Sequence, residues 1–318
     1  MRGITLLLTS AALSLACASQ QTAPTRARPP QRFVVVSSGA VLHARPDDAS
    51  PSLTVPTTAT FRRVRARGDW VELETVADPS RQCAAALAPP DGLRVRFFVR
   101  AASLAQVLAR PLRLNGPEGS LVVQPGVEVR EGSRRTAPAE LVHAGIHLTL
   151  VLVPAIGREH PAPAAERSIT RAERLAPGTR ATLPDGVVLD VSRDTNVYVR
   201  SRRSTIEGTR VTLATPCIAA EAEVPERAVL PVMELDIDEA ETPSAARWVL
   251  RRDARLRWPD GSPAGRAATR VRITDAGRET SGTRCFHVPM RVVGAAATTA
   301  PLDIEVCADA GDVTAVSQ

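Results

Sequence analysis

Short strand-like runs, each broken within a few residues by Gly, Pro, Asp or Ser, restrict the fold of this chain more than any other feature. Phe33 to Ser37, Trp70 to Thr75, Arg94 to Arg100, Val127 to Arg130, His147 to Val153, Val187 to Val191 and Val197 to Arg200 are rich in β-branched residues, and many alternate apolar with polar. Helical periodicity is scarce, with short candidates only near Ala101 to Ala109 and Ala162 to Leu175. Many short strands with regular turns predict an all-β chain of barrels or sandwiches rather than a parallel sheet with crossover helices. The length of 318 residues leaves room for several such domains. Aromatic residues make up only 3%, so Val, Leu and Ala must fill the cores.

The chain also repeats itself. Pro-acid-Gly turns stand at Pro117-Glu118-Gly119, Pro184-Asp185-Gly186 and Pro259-Asp260-Gly261, 67 and 75 residues apart. A β-branched pair follows each: Val127/Val129, Val197/Val199 and Val271/Ile273. The last two copies share a Gly-Thr-Arg leading into a strand, at Gly208-Thr209-Arg210 and Gly282-Thr283-Arg284. A period of about 70 residues suits small barrel modules in series. The expected division is a signal peptide over 1–16, a flexible tether over 17–32, and β-rich modules over 33–106, 107–165, 170–235 and 246–311.

The N-terminus sets the compartment. Arg2 precedes an apolar stretch from Ile4 to Leu15, the length of a signal h-region and too short to span a bilayer. It runs into Leu13-Ser14-Leu15-Ala16-Cys17, which resembles the lipobox of bacterial lipoproteins, with Ser14 where that family prefers a large aliphatic. The resemblance implies a lipid on Cys17 and, with Ala18 following, sorting to the outer membrane. The alternative is an ordinary signal peptide cleaved nearby. Ala18 to Gln31 is rich in Ser, Gln, Thr, Ala and Pro and reads as a tether.

Cys83, Cys217, Cys285 and Cys307 remain, and an even count in an exported chain favours disulfides. Three connectivities are open. The neighbouring strand-like runs around Cys285 and Cys307 favour that pair, which leaves Cys83 with Cys217. No two lie at C-x-x-C spacing, which disfavours zinc.

All 40 basic residues are arginine. Without lysine, neither a P-loop nor Schiff-base catalysis is available. The net charge of +6 is spread along the chain, which argues against nucleic acid and fits anionic lipid or a charged wall polymer. Neither H-E-x-x-H nor G-x-S-x-G occurs, nor a G-x-G-x-x-G after a strand. His143 and His147 stand four apart, but in strand-like sequence that spacing is about 13 Å of extended chain, unsuited to a shared metal. Cys285 or Cys307 with His287 could form a nucleophilic pair, but an oxidising compartment favours the disulfide. The acidic run Glu234 to Glu239 lacks the glycine of a calcium loop and reads as a linker. No catalytic residue, cofactor or metal is expected.

Leu42-His43-Ala44-Arg45-Pro46, the basic strand Ala59 to Ala66, Gly68-Asp69-Trp70-Val71-Glu72-Leu73 and the closing Phe98 to Leu104 together resemble the bacterial SH3-like domain. The match covers Val41 to Leu104, with a long insertion between Thr75 and Leu93 that carries Cys83. The resemblance implies a small β-barrel that binds cell-wall peptide, glycan or a partner protein, with Trp70, Asp69 and Arg45 as candidate ligand contacts. Trp70 also suits simple core packing at one barrel end. Val71 and Leu73 alternate with Glu72 and Glu74, predicting one apolar and one wet face. A single tyrosine, Tyr198, argues against an aromatic proline-recognition groove.

The expected function is therefore a non-catalytic envelope lipoprotein binding peptidoglycan or an envelope protein, held to the membrane by an N-terminal lipid. The competing readings are a cell-wall hydrolase or other envelope enzyme with its catalytic domain within 107–318, and a structural subunit of an envelope complex.

Overall fold

The computed structural model describes residues 31–130, 138–150, 155–164, 173–192, 197–206, 208–231, 247–274, 276–277, 279–294 and 301–316. The expected signal peptide, Cys17, most of the tether and the Glu234 to Glu239 run lie outside them. The protein is all-β, as the broken strand pattern predicts.

Among the described residues, twenty-nine strands fall into four units. The first holds β1 (Phe33–Val36), β2 (Val41–His43), β3 (Ser52–Thr54), β4 (Ala59–Arg67), β5 (Trp70–Glu74), β6 (Ala85–Ala88) and β7 (Leu93–Arg100). The second holds β8 (Val107–Leu108), β9 (Leu112–Gly116), β10 (Gly119–Val123), β11 (Glu128–Arg130), β12 (Ala139–His143), β13 (Ile146–Leu150) and β14 (Ile156–Gly157). The third holds β15 (Glu173–Leu175), β16 (Arg180–Thr182), β17 (Val188–Val191), β18 (Val197–Ser204), β19 (Thr209–Ala214), β20 (Ile218–Val224) and β21 (Val229–Pro231). The fourth holds β22 (Trp248–Leu250), β23 (Arg255–Arg257), β24 (Pro263–Ala267), β25 (Val271–Ile273), β26 (Glu279–Thr280), β27 (Thr283–Val293), β28 (Leu302–Asp309) and β29 (Val313–Ala315).

One strand order recurs. In the second unit the closing strand lies beside the opening strand, followed by a three-strand meander: β14-β8-β11-β12-β13. The third unit repeats it as β21-β15-β18-β19-β20. The fourth divides it between β29-β22-β25 and β26-β27-β28. In the first, β1, β4, β5 and β7 supply the opening strand and meander, and Leu104 bridges Val36 in place of a closing strand. A two-stranded arm follows each opening strand: β2–β3, β9–β10, β16–β17 and β23–β24. The three Pro-acid-Gly turns are the tips of the last three arms, and the β-branched pairs lie in or at the edge of the first meander strands β11, β18 and β25. Single 3-10 turns at Ala101–Ser103, Glu226–Ala228 and Ala310–Asp312 lead into the closing segments of units one, three and four. The helix candidate at Ala101 to Ala109 is thereby corrected to one such turn followed by β8. The other candidate ends in β15, and its residues 165–172 lie outside the described residues.

Separate modules in series are also corrected. The first and fourth units share one hydrophobic core, in which Phe61, Leu73 and Phe97 meet Leu256, Trp258 and Val288. The second and third share another, built from Leu121, Leu141 and Leu148 with Leu189, Leu213 and Ile218. The physical reason is size. Domains of about 60 residues bury too little surface to be stable by a wide margin, and these have few aromatics to compensate. The arms join the pairs: β10 adds to β20, β17 adds to β13, and β24 adds to β7. Gly119 and Gly265 allow close approach at two of these junctions. A Cβ on Gly119 (φ +143°) would stand 2.0 Å from the Glu221 carbonyl oxygen, and one on Gly265 (φ +146°) would stand 1.9 Å from that of Arg94.

The insertion after Thr75 is a clasp. Its strand β6 runs parallel to β4 and antiparallel to the end of β27, where Ala86, Leu87 and Ala88 face Val293, Val292 and Arg291. Cys83, at the head of this strand, is bonded to Cys217 of the third unit, so the clasp ties together both cores. Cys285–Cys307 links the facing strands β27 and β28. Both pairs agree with the favoured connectivity. They place the folded chain in an oxidising, exported setting. No helix among the described residues is long and apolar enough to cross a membrane.

Cys83–Cys217 closes a loop across 134 residues and Cys285–Cys307 one across 22. Chain entropy assigns these about 5 and about 3 kcal/mol. Replacing both cysteines of the long pair with serine should therefore lower the urea midpoint more than doing so for the short pair. Equal or reversed losses would contradict the clasp's role.

Candidate functional site

The clearest constellation around the expected ligand contacts is built at one end of the first unit. Gly68 takes a positive φ of 55° and turns β4 into β5, which places Trp70 as the first residue of β5 and 8% exposed. His43, from β2, meets the indole edge-on with ring centroids 5.2 Å apart. The Arg100 guanidinium lies 4.2 Å above the same ring and pairs with Asp48 in the arm loop. The Asp48 hydrogen bond and the nearby Asp69 carboxylate raise the Arg100 pKa above its usual value. Asp69 is exposed, and its carbonyl accepts the Ala101 N–H at 2.7 Å. Trp70 and Asp69 thus meet around Arg100. Arg45 is drawn elsewhere, to Asp260 at the tip of the fourth unit's arm, with Nε 3.2 Å from the carboxylate. The Asp260 carboxyl is held below its usual range first by the Ser262 hydroxyl and N–H. Trp70 and Asp69 therefore belong to an end cap around Arg100, while Arg45 pins one arm to another.

Beside the cap, the wet face expected for β5 is corrected. Glu72 is only 3% exposed and Glu74 4%. Arginines from both flanking strands cover them: Arg65 pairs with Glu72, Arg62 with Glu74, and Arg96 reaches Glu72 at 3.4 Å and Glu74 at 3.5 Å. Planar guanidinium groups can roof a strand while satisfying carboxylates, which alternation of residue types does not reveal.

Two concavities stand out. An open depression of about 840 Å³ is lined by Pro117, Glu118, Arg180, Thr182, Arg210 and Glu223 among others, with no Ser, Cys or His among the described residues of its lining. A narrower groove of about 310 Å³ lies between β3 of the first unit and β28 of the fourth, with Phe97 and Trp258 at its base and Asp303 and Glu305 among its lining residues. Sequence reasoning missed this groove. Its one signal was the alternation Leu302-Asp303-Ile304-Glu305-Val306, which reads as an ordinary strand.

The histidines do not converge. His143 is buried, with Nδ1 2.6 Å from the Cys83 carbonyl, while His147 Nδ1 lies 2.7 Å from Glu140. His287 is exposed on β27, and Cys285 and Cys307 are bonded to each other, so neither is a thiolate for it to activate. Among the described residues no cluster of His, Cys, Asp or Glu could hold a metal ion. No family model matches the chain, and neither does any curated protein or solved structure.

Burial lowers the His143 pKa to about 4, against a smaller opposing effect of its bond to the Cys83 carbonyl. Burial lowers that of His160 too. Between pH 6.5 and about 4 the unfolded chain binds a proton at residue 143 that the folded protein refuses, so stability falls as pH falls through this window. For His143 the loss reaches about 3 kcal/mol. Urea unfolding at pH 7 and pH 4.5 should show it, and His143→Gln, which does not titrate, should reduce it. An unchanged pH dependence in that variant would contradict the assignment.

Proposed function

We propose that the chain is a non-catalytic, exported binding or scaffolding protein of the bacterial envelope, a lipoprotein held by Cys17, whose units are SH3-like barrels paired through their arms. One observation carries the reading: the same five-position order, with an arm after the opening strand, underlies all four units, and a 3-10 turn precedes the closing segment in units one, three and four. It supports extending the SH3-like resemblance of Val41 to Leu104 to the later units. Repeated small barrels suit a surface that grips an extended polymer or a partner at several points. The disulfides and the lipobox-like Leu13 to Cys17 support an envelope setting. The spread of arginine favours an anionic wall polymer or protein partner over nucleic acid.

Incubation with purified peptidoglycan sacculi tests the reading. Co-sedimentation without soluble muropeptides is expected, with weaker sedimentation at higher salt. Release of muropeptides would establish the envelope-enzyme alternative, and failure to sediment would remove wall material as the ligand. The mass of the mature N-terminal peptide tests the anchor: an acylated Cys17 is expected, and an unmodified peptide starting at or beyond Ala18 would overturn it.

A further inference from the structure

The four arms create four equivalent junctions, and one of them is open. In β7 the residues Leu93, Arg94 and Val95 pair with the arm strand β24, while Phe98 pairs with β2. Strand β28 matches β7 residue for residue: each has eight residues and ends in a three-residue 3-10 turn, so Leu302, Asp303 and Ile304 stand where Leu93, Arg94 and Val95 stand. The match holds at the next contact, since Cys307 pairs with β23 as Phe98 does with β2. The arm strand due to pair with Leu302 to Ile304 is β3, whose only partner among the described strands is β2. By its backbone bonds Val55, which exchanges bonds with Gly39 and Ala40, corresponds to Ala267, which exchanges them with Asp253 and Ala254. Leu53 therefore takes the place of Gly265. Where β3 and β28 should meet lies the groove of about 310 Å³, at the lower end of the range for ligand sites.

The free edge of β28 has defined polarity. Pro289 faces Asp303 and has no N–H to give, so this is a pair of the type that does not exchange hydrogen bonds. Alternation gives the same type to His287/Glu305 and Cys285/Cys307. Two observations agree: the Cys285 carbonyl accepts from Gly277, away from β28, and the Cys285 and Cys307 Cα atoms are only 3.9 Å apart. The backbone N–H and C=O of Asp303 and Glu305 consequently point away from β27, towards the groove. Trp258, 5% exposed, lines that groove with its Nε1–H buried and without a hydrogen-bond partner among the described residues. Neither the Asp303 nor the Glu305 carboxylate forms an ion pair with another described residue. The matching positions on the closed β7 are Arg94 and Arg96, so the open junction carries the opposite charge.

We propose that this groove takes an extended basic peptide from a partner polypeptide, added as a strand against β28 where the other three junctions hold an arm strand of the chain itself. The proposal rests on the reading of the protein as a binding protein and names one class of partner for it. Outward backbone groups supply the pairing, Asp303 and Glu305 select basic side chains, and the apolar floor takes the alternate ones.

The test uses the purified full chain and a capped heptapeptide alternating arginine and valine, with a glutamate–valine heptapeptide as control. The basic peptide is expected to bind at least tenfold more tightly than the acidic one. It should also slow amide hydrogen exchange at Asp303 and Glu305 at least tenfold while leaving Ile304, already paired with Val288, little changed. Asp303→Pro removes an outward N–H that β27 does not use and should weaken binding at least tenfold. Asp303→Asn should weaken it less. Absence of binding, binding without protection of those two amides, or full affinity in a folded Asp303→Pro variant would overturn the proposal. Sacculus co-sedimentation by the same Asp303→Pro preparation separates the two readings: if it persists while peptide binding is absent in the parent chain, the groove assignment fails and the binding-protein reading stands.

Discussion

The arm strands that cross from one unit to another hold the architecture together. In a chain with so few aromatic side chains, a unit of this size buries too little surface to be stable by a wide margin, and three of the four arms offset that by extending a neighbour's sheet over a common interior. Where β10 lies on β20 and β17 on β13, the exchange is reciprocal, and two seven-stranded sheets enclose one core. Where β24 lies on β7 it is one-sided, and the clasp strand β6 supplies a second connection by bridging β4 and β27. The second and third units thus sit in the chain between two partners that fold together.

Much of this was legible residue by residue. The β-branched runs gave the strands their places, and the Pro-acid-Gly turns marked arm tips because a proline-started turn with a glycine is a cheap way to reverse a strand. Val127/Val129, Val197/Val199 and Val271/Ile273 fell on equivalent strands because each must face an interior. Which unit pairs with which was not legible. Leu93 to Val95 would read the same whether β24 or solvent lay beside them, since pairing uses the backbone and a strand's side chains report only the two faces. Glu72 and Glu74 misled for a related reason: their arginine cover comes from Arg62, Arg65 and Arg96 on other strands. Leu104 showed the opposite weakness, a helix-like run of small residues that tertiary contacts reduce to one 3-10 turn and a bridge to Val36.

The candidate site divides along the same line. Gly68-Asp69-Trp70 was visible because a positive-φ glycine before an aromatic is a local signal, and the structure finds that tryptophan wedged between His43 and Arg100. The β3–β28 groove was invisible because it is a junction left unfilled, and only comparison with its filled counterparts gives it meaning. Arg45, expected as a candidate ligand contact, joins Asp260 across the two arm loops beside that groove.

The shared core of the first and fourth units is tested most directly by expressing pieces of the chain. Residues 105–231 alone are expected to unfold cooperatively in urea, because their core lacks only Cys83 from outside that range. Residues 31–104 alone should lack a cooperative transition and acquire one when residues 247–316 are added. A cooperative transition in residues 31–104 by themselves would contradict the common core and restore the picture of independent barrels.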